Sequence, residues 1–372
     1  MNSFSIAGRV LLPEGFVEAT ITIAETRIAS ITHGIDAHAD LRVDGWIAPG
    51  FIDLQINGAY GFDFTTDTGT AAQVAERLPE TGVTAFLATI ISSPLDAYPR
   101  FLRDLKHDAR GAQILGAHLE GPYLNPKRAG AHNPDYLRAP NLGELETWAG
   151  SSLVRLVTLA PELPGALEMI RALRARGIVV SAGHSDANYA QAIAGLDAGI
   201  SWGTHLFNAM PVFSHREPGL IGALLSSDVP VGLIADGVHV HPAAIKTVVR
   251  AKGARGTTLV TDAMMAMGMK PGRYTLGDRA VKVDVTSARL DDGTLAGSIL
   301  QMDAAIRNMI EFSGCSLADA ITMASATPAR VLGLAHKGHI VPGADADIVV
   351  LGESLRVQTT IARGEIVYRR NA

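Results

Sequence analysis

A single cysteine, Cys315, in 372 residues excludes an intrachain disulfide, a thiolate zinc site and a dithiol redox pair. It lies among helix-like residues without a motif and reads as a small buried apolar side chain. Basic residues are not in excess. The 32 Lys and Arg against 37 Asp and Glu leave a net charge of −5, so there is no broad basic field for non-specific nucleic-acid binding. A phosphorylated small molecule needs only one or two local cations and stays open. No apolar run reaches the ~18 residues of a membrane span. The opening "MNSFSIAGRVLLPEGF" lacks the basic-then-apolar order of a signal peptide. These absences lead to the expectation of a cytoplasmic protein without a membrane or nucleic-acid partner. Also missing are Gly-x-Gly-x-x-Gly after a strand and the Gly-Lys-Ser/Thr phosphate loop, which argues against an open nucleotide-binding sheet.

What is present is 47% hydrophobic residue content, enough for a sizeable core. The length suits one large barrel with one satellite. Residues 1–48 alternate apolar and polar positions in short bursts, and residues 338–372 do the same. Neither end can build a core alone, so the two are expected to pair in one small β-sandwich. Residues 49–337 instead alternate short apolar runs with amphipathic stretches. The runs "FIDLQING", "TAFLATI", "QILGAHLE", "VRLVTLAPE", "GIVVSAGHS", "SWGTHLFNA", "VPVGLIADG" and "TTLVTDA" read as eight strands. With helices between them, the expected fold class is α/β, a (β/α)8 TIM-type barrel.

Four chemically distinctive residues fall at strand ends. Glu120 closes the third strand, His184 and His205 follow the fifth and sixth, and Asp262 closes the eighth. Strand ends of a barrel gather around one mouth. One carboxylate and two imidazoles suit zinc or a similar divalent ion and leave a position for water, whose pKa the ion lowers toward ~7. Asp262 could then move a proton. His118, two before Glu120, is expected to pack in the interior. Glu162 could serve the site or an ordinary salt bridge.

Together "GFIDLQING", "HLEGPYLN", "AGAHNP", "SAGHS", "THLFNAMP", "REPGL", "ADGVHV", "LVTDA" and "TLAGS" resemble the N-acetylglucosamine-6-phosphate deacetylases of the amidohydrolase superfamily. The resemblance implies hydrolysis of N-acetylglucosamine 6-phosphate to glucosamine 6-phosphate and acetate, in amino-sugar catabolism. It implies a divalent metal, often zinc, on Glu120, His184 and His205, with Asp262 as the catalytic aspartate, and a homodimer. His132 is expected to stabilise the oxyanion. Arg216 and His239 are expected to meet the phosphate, and Asn208 and Ala209 to offer further contacts. Ala131 and the turn Leu295, Ala296, Gly297 and Ser298 match substrate-loop positions. One departure is chemical. Many superfamily members carry His-x-His on the first strand, whereas this chain has the neutral amides Gln55 and Asn57, which points to one metal ion per subunit. N-acetylgalactosamine 6-phosphate and a cyclic amide are alternative substrates. A non-catalytic phosphosugar-binding protein is the rival class, with a ligand-free structural protein behind it.

Overall fold

The computed structural model describes residues 3–105 and 109–370. Four strands come first, β1 (Ser3–Leu12), β2 (Gly15–Ala24), β3 (Arg27–His33) and β4 (Leu41–Pro49). Next come β5 (Phe51–Ile56), β6 (Val83–Ile91), β7 (Gln113–Glu120) and β8 (Val154–Leu159). They continue in β9 (Val179–Ala182), β10 (Trp202–Gly203), β11 (Val231–Leu233) and β12 (Thr257–Leu259). A hairpin of β13 (Gly272–Leu276) and β14 (Arg279–Val283) follows. The chain closes with β15 (Ile348–Leu351), β16 (Val357–Ala362) and β17 (Glu365–Arg369).

Strands β5 to β12 form one eight-stranded sheet in chain order, every neighbouring pair parallel. Its two edges meet just past the strand ends. Asp262 N donates to Gln55 O at 2.9 Å and Asn57 N to Ala263 O at 2.8 Å. The barrel of the sequence reading is therefore present and nearly closed. All nine residues of β6 are buried, as a parallel strand covered on both faces requires. The amphipathic stretches read before the fifth and sixth strands are the helices Ala166–Ala175 and Tyr189–Ala198. The second begins with a reciprocal cap, Asn188 Oδ1 accepting from Gln191 N and Gln191 Oε1 from Asn188 N.

Inside the barrel, His118 is buried below Glu120. Its Nε2 lies 2.8 Å from Thr158 Oγ1 and its Nδ1 3.1 Å from Leu54 O. Burial pushes its pKa down to about 4, so it is a neutral, hydrogen-bonded interior group.

The two chain ends do join. They make a seven-stranded mixed sheet in the order β17-β16-β15-β4-β1-β2-β3. The expected sandwich thus takes the form of one continuous sheet, sewn by β4, which is parallel to β1 and antiparallel to β15. Ile6, Ile21 and Ile47 from the beginning of the chain pack with Ile348 and Ile361 from its end. Gly45 permits the seam, because a Cβ there would lie 2.0 Å from Leu351 O. Among the described residues, no helix is long and apolar enough to cross a membrane.

Lys337 anchors the segment leading into β15. Its buried Nζ lies 2.6 Å from Asp347 Oδ2 and 2.8 Å from Asp345 Oδ2. Lys337→Met leaves the buried Asp347 without its cation, while Asp345 keeps Arg27 Nη1 at 2.7 Å, and is expected to cost about 3 kcal/mol. Urea denaturation measures this, and an unchanged midpoint would contradict it.

Candidate metal centre

Glu120 is the last residue of β7, while His184, His205 and Asp262 sit two or three residues beyond β9, β10 and β12. The last three have φ values of 47°, 27° and 48°. This left-handed region is unfavourable for residues with a Cβ, at about 1–3 kcal/mol each, and is held only where the surroundings enforce it. It breaks each strand's path at the barrel mouth, where the side chains converge. Glu120 Oε1 lies 3.1 Å from His205 Nε2 and 3.3 Å from His184 Nε2, and the two Nε2 atoms are 3.0 Å apart. All three residues are buried.

These separations fit a bound divalent ion. A tetrahedron with 2.0–2.1 Å bonds has edges of roughly 3.3 Å. One carboxylate and two imidazoles are a suitable donor set for zinc and its neighbours. His184 Nδ1 donates to Arg128 O at 2.8 Å, which leaves the Nε2 lone pair facing the centre. His205 has no such brace, because its Nδ1 is buried without a hydrogen-bond partner among the described residues. Burial raises the Glu120 pKa, but with protons on the facing Nε2 atoms the hydrogen bonds of His184 and His205 override it and hold the carboxyl well below its ordinary range, and a bound ion would take the place of those protons. A buried, ionised carboxylate between two imidazole nitrogens is a place for positive charge.

Asp262 adjoins this centre. Asn57 Nδ2 and Gln55 Nε2 donate to its Oδ1 at 2.8 and 3.2 Å, and Gln55 Nε2 also donates to Glu120 Oε1 at 2.9 Å. No donor among the described residues takes Asp262 Oδ2. Burial and the Glu120 charge push the Asp262 pKa up to about 6. Beneath it, the buried Asp53 accepts from Thr261 Oγ1 at 2.5 Å and braces the strand end. His132 Nδ1 accepts from Ser92 N at 3.1 Å, so the ring proton is on Nε2. Burial and the neighbouring His184 push its pKa down to about 3, which makes it a neutral donor. Its Nε2 is 3.8 Å from Glu120 Oε2.

A cavity of about 220 Å³ opens onto these groups. Of the other sequence candidates, Ala131, Asn208, Ala209, His239, Leu295 and Gly297 line it. Ala296 lies behind the wall in an apolar cluster, and Ser298 Oγ donates to Thr261 O at 2.6 Å. Arg216 is not on the wall. It sits on an exposed loop beside Val212 and Phe213, which are 88% and 52% exposed. His239 Nδ1 meets Asp236 Oδ2 at 2.6 Å, which leaves Nε2 as the ring's free nitrogen. The sequence reading missed Asp236, whose only signal is its spacing of three from His239. It also missed Ile91, Leu276 and Thr294 on the wall. The apolar pair carries no chemical signal at all.

The pattern of the amidohydrolase family matches residues 46–367. The chain is similar to the N-acetylglucosamine-6-phosphate deacetylase of Homo sapiens, with 44% identity over 88% of this chain and 84% of that one. It is 38% identical to the N-acetylgalactosamine-6-phosphate deacetylase of Escherichia coli O157:H7, over 97% and 98% of the two chains. Among solved structures, an N-acetyl-D-glucosamine-6-phosphate deacetylase mutant from Mycobacterium smegmatis, in complex with N-acetyl-D-glucosamine-6-phosphate, superposes with a TM-score of 0.93. It shares 35% identity, over 99% of this chain and 100% of that one.

Glu162, left between two readings by the sequence, forms no salt bridge among the described residues. It accepts from Asn125 Nδ2 at 2.8 Å, Ser185 Oγ at 2.7 Å and Asp186 N at 2.6 Å. It thereby ties the loop after Glu120 to the loop carrying His184. Glu162→Ala removes the acceptors of all three hydrogen bonds and leaves Asn125 Nδ2 and Asp186 N without their partner. A loss of about 2 kcal/mol in urea denaturation is expected, and no loss would refute this bracing.

Proposed function

The chain belongs to the N-acetylglucosamine-6-phosphate deacetylases of the amidohydrolase family, and from that premise we propose how its residues divide the work of hydrolysing N-acetylglucosamine 6-phosphate to glucosamine 6-phosphate and acetate. Glu120, His184 and His205 hold one divalent ion, zinc in our reading. Such an ion, when bound, acidifies a water toward a pKa of ~7 and polarises a carbonyl oxygen. The observation that carries this reading is the convergence of those three donors within 4.8 Å, beside a carboxylate whose Oδ2 has no donor among the described residues.

An acetamide resists attack because its nitrogen donates into the carbonyl, and an amide anion is too basic to leave. Asp262 answers both difficulties. Its Oδ1 is held by Asn57 and Gln55, so Oδ2 is the oxygen that takes a proton from the attacking water and returns it to the departing nitrogen. Burial raises its pKa, the direction that suits a group which must both accept and donate a proton. His132, neutral with its proton on Nε2, donates to the carbonyl oxygen as negative charge develops there. Gln55 and Asn57 stand where a second ion would need imidazoles, which supports a single-metal site.

His239, Asn208 and Ala209 face the sugar phosphate, and Ala131 with the Leu295–Ser298 turn shapes the rest of its seat. Arg216 is too exposed to serve the cavity of its own chain. Its fork matches phosphate oxygens, and its loop carries two uncovered apolar side chains. Both features support a homodimer in which this loop closes the partner's site.

Acetate release should be assayed on N-acetylglucosamine 6-phosphate and N-acetylgalactosamine 6-phosphate side by side, because one relative acts on the second epimer by name. Preference for the glucosamine epimer is expected, and inhibition by a chelator. Asp262→Asn is expected to lose more than the ~10²–10⁴-fold of ordinary acid–base catalysis while still binding metal. Near-normal turnover with metal bound would exclude the shuttle. Metal-free protein should regain full activity at one equivalent of Zn²⁺ per subunit. A requirement for two would overturn the single-metal reading.

A further inference from the structure

We propose that Ile91, Ala131 and Leu276 form the seat for the alkyl end of the acyl group and set how long an acyl chain this enzyme removes. The inference rests on the deacetylase reading above. In the hydrolysis the acyl C–N bond breaks and a C–O bond forms from water. One of the water's protons goes to the nitrogen as it leaves and the second is taken up by the freed amine, giving ammonium and carboxylate. The carbonyl carbon therefore offers three directions. Its oxygen goes to His132 and the metal site, and its nitrogen with the attached sugar goes to Asp262. Only the alkyl substituent remains to be placed.

Barrel order places it. The sugar-facing residues Asn208 and His239 follow β10 and β11, the sixth and seventh strands of an eight-stranded ring. Ile91 ends β6 and Ala131 lies on the loop after β7, the second and third strands, which stand opposite. That wall is also the apolar one. Ile91 and Leu276 are each 3% exposed and Ala131 is 8% exposed, all three belong to one apolar cluster, and all three line the cavity. Ser92, directly after Ile91, holds His132 Nδ1, so the apolar wall adjoins the oxyanion donor.

The wall is braced against yielding. Leu276 is the last residue of β13, at a two-residue turn. Gly277 N donates to the buried Asp63 Oδ2 at 2.9 Å. Asp278 Oδ2 accepts from Asn133 Nδ2 at 2.7 Å and Tyr136 OH at 3.1 Å, both on the segment that follows Ala131 and His132. A methyl group is accommodated, and a longer chain meets side chains that cannot swing away.

The test is kcat/KM for N-acetyl and N-propionyl glucosamine 6-phosphate, measured on the native enzyme and on Leu276→Ala, Ile91→Ala, the milder Leu276→Val, and Leu290→Ala. Leu290 belongs to the same apolar cluster but not to the cavity wall. The propionyl-to-acetyl ratio is expected to rise about 10-fold or more in Leu276→Ala and Ile91→Ala, the scale of one methylene in an apolar pocket. A smaller rise is expected in Leu276→Val and none in Leu290→Ala. Unmoved ratios in the three wall variants, or an equal shift in Leu290→Ala, overturn the proposal while leaving the deacetylase reading intact. Failure of the native enzyme to release acetate from N-acetylglucosamine 6-phosphate overturns both.

Discussion

Everything at the mouth of this barrel is arranged around one carboxylate oxygen. Glu120 Oε1 is shared by His184 Nε2, His205 Nε2 and Gln55 Nε2, all within 3.3 Å. Burying an ionised carboxylate is expensive, and a single partner seldom offsets the lost hydration. Gln55 Nε2 donates to it, and positive charge at the two imidazole nitrogens would offset the rest. The same crowding brings two imidazole lone pairs face to face at 3.0 Å, which an intervening cation resolves. The electrostatics that keep Glu120 ionised are thus those that prepare a metal site.

That arrangement depends on backbone conformations the chain would not adopt by itself. His184, His205 and Asp262 occupy left-handed φ values where glycine is the easy choice. Glycine has no side chain to ligate or to carry a proton, so the roles proposed for these residues conflict with backbone preference. The barrel holds the turns at His184 and Asp262 through neighbouring segments. Asn125 N and Arg128 O engage the His184 backbone and ring, and the β5–β12 seam fixes Asp262. Strain of this kind marks a place where stability has been given up for function.

Most of the fold was legible along the chain. The eight apolar runs became the eight barrel strands, because parallel strands buried on both faces leave continuous apolar segments. Glu120, His184, His205 and Asp262 stood out because polar residues at the ends of such runs are conspicuous. The β structure at both termini was legible from its alternation. That it forms one seven-stranded sheet was not, since pairing between β4 and β15 joins residues some three hundred apart and depends on Gly45 admitting Leu351 O.

The sequence by itself determined which residue types were available, which strands would hold them, and that amides replace imidazoles on the first strand. It did so because burial and side-chain chemistry are properties of each residue and its near neighbours. Only the tertiary structure decided what those amides do, which is to grip Asp262 Oδ1 across the barrel seam. Only it placed Arg216 outside its own cavity and brought Leu276 from a distant hairpin against Ile91. Such contacts arise from loop closure between remote segments, and apolar side chains that line a cavity look the same along the chain as those that fill a core.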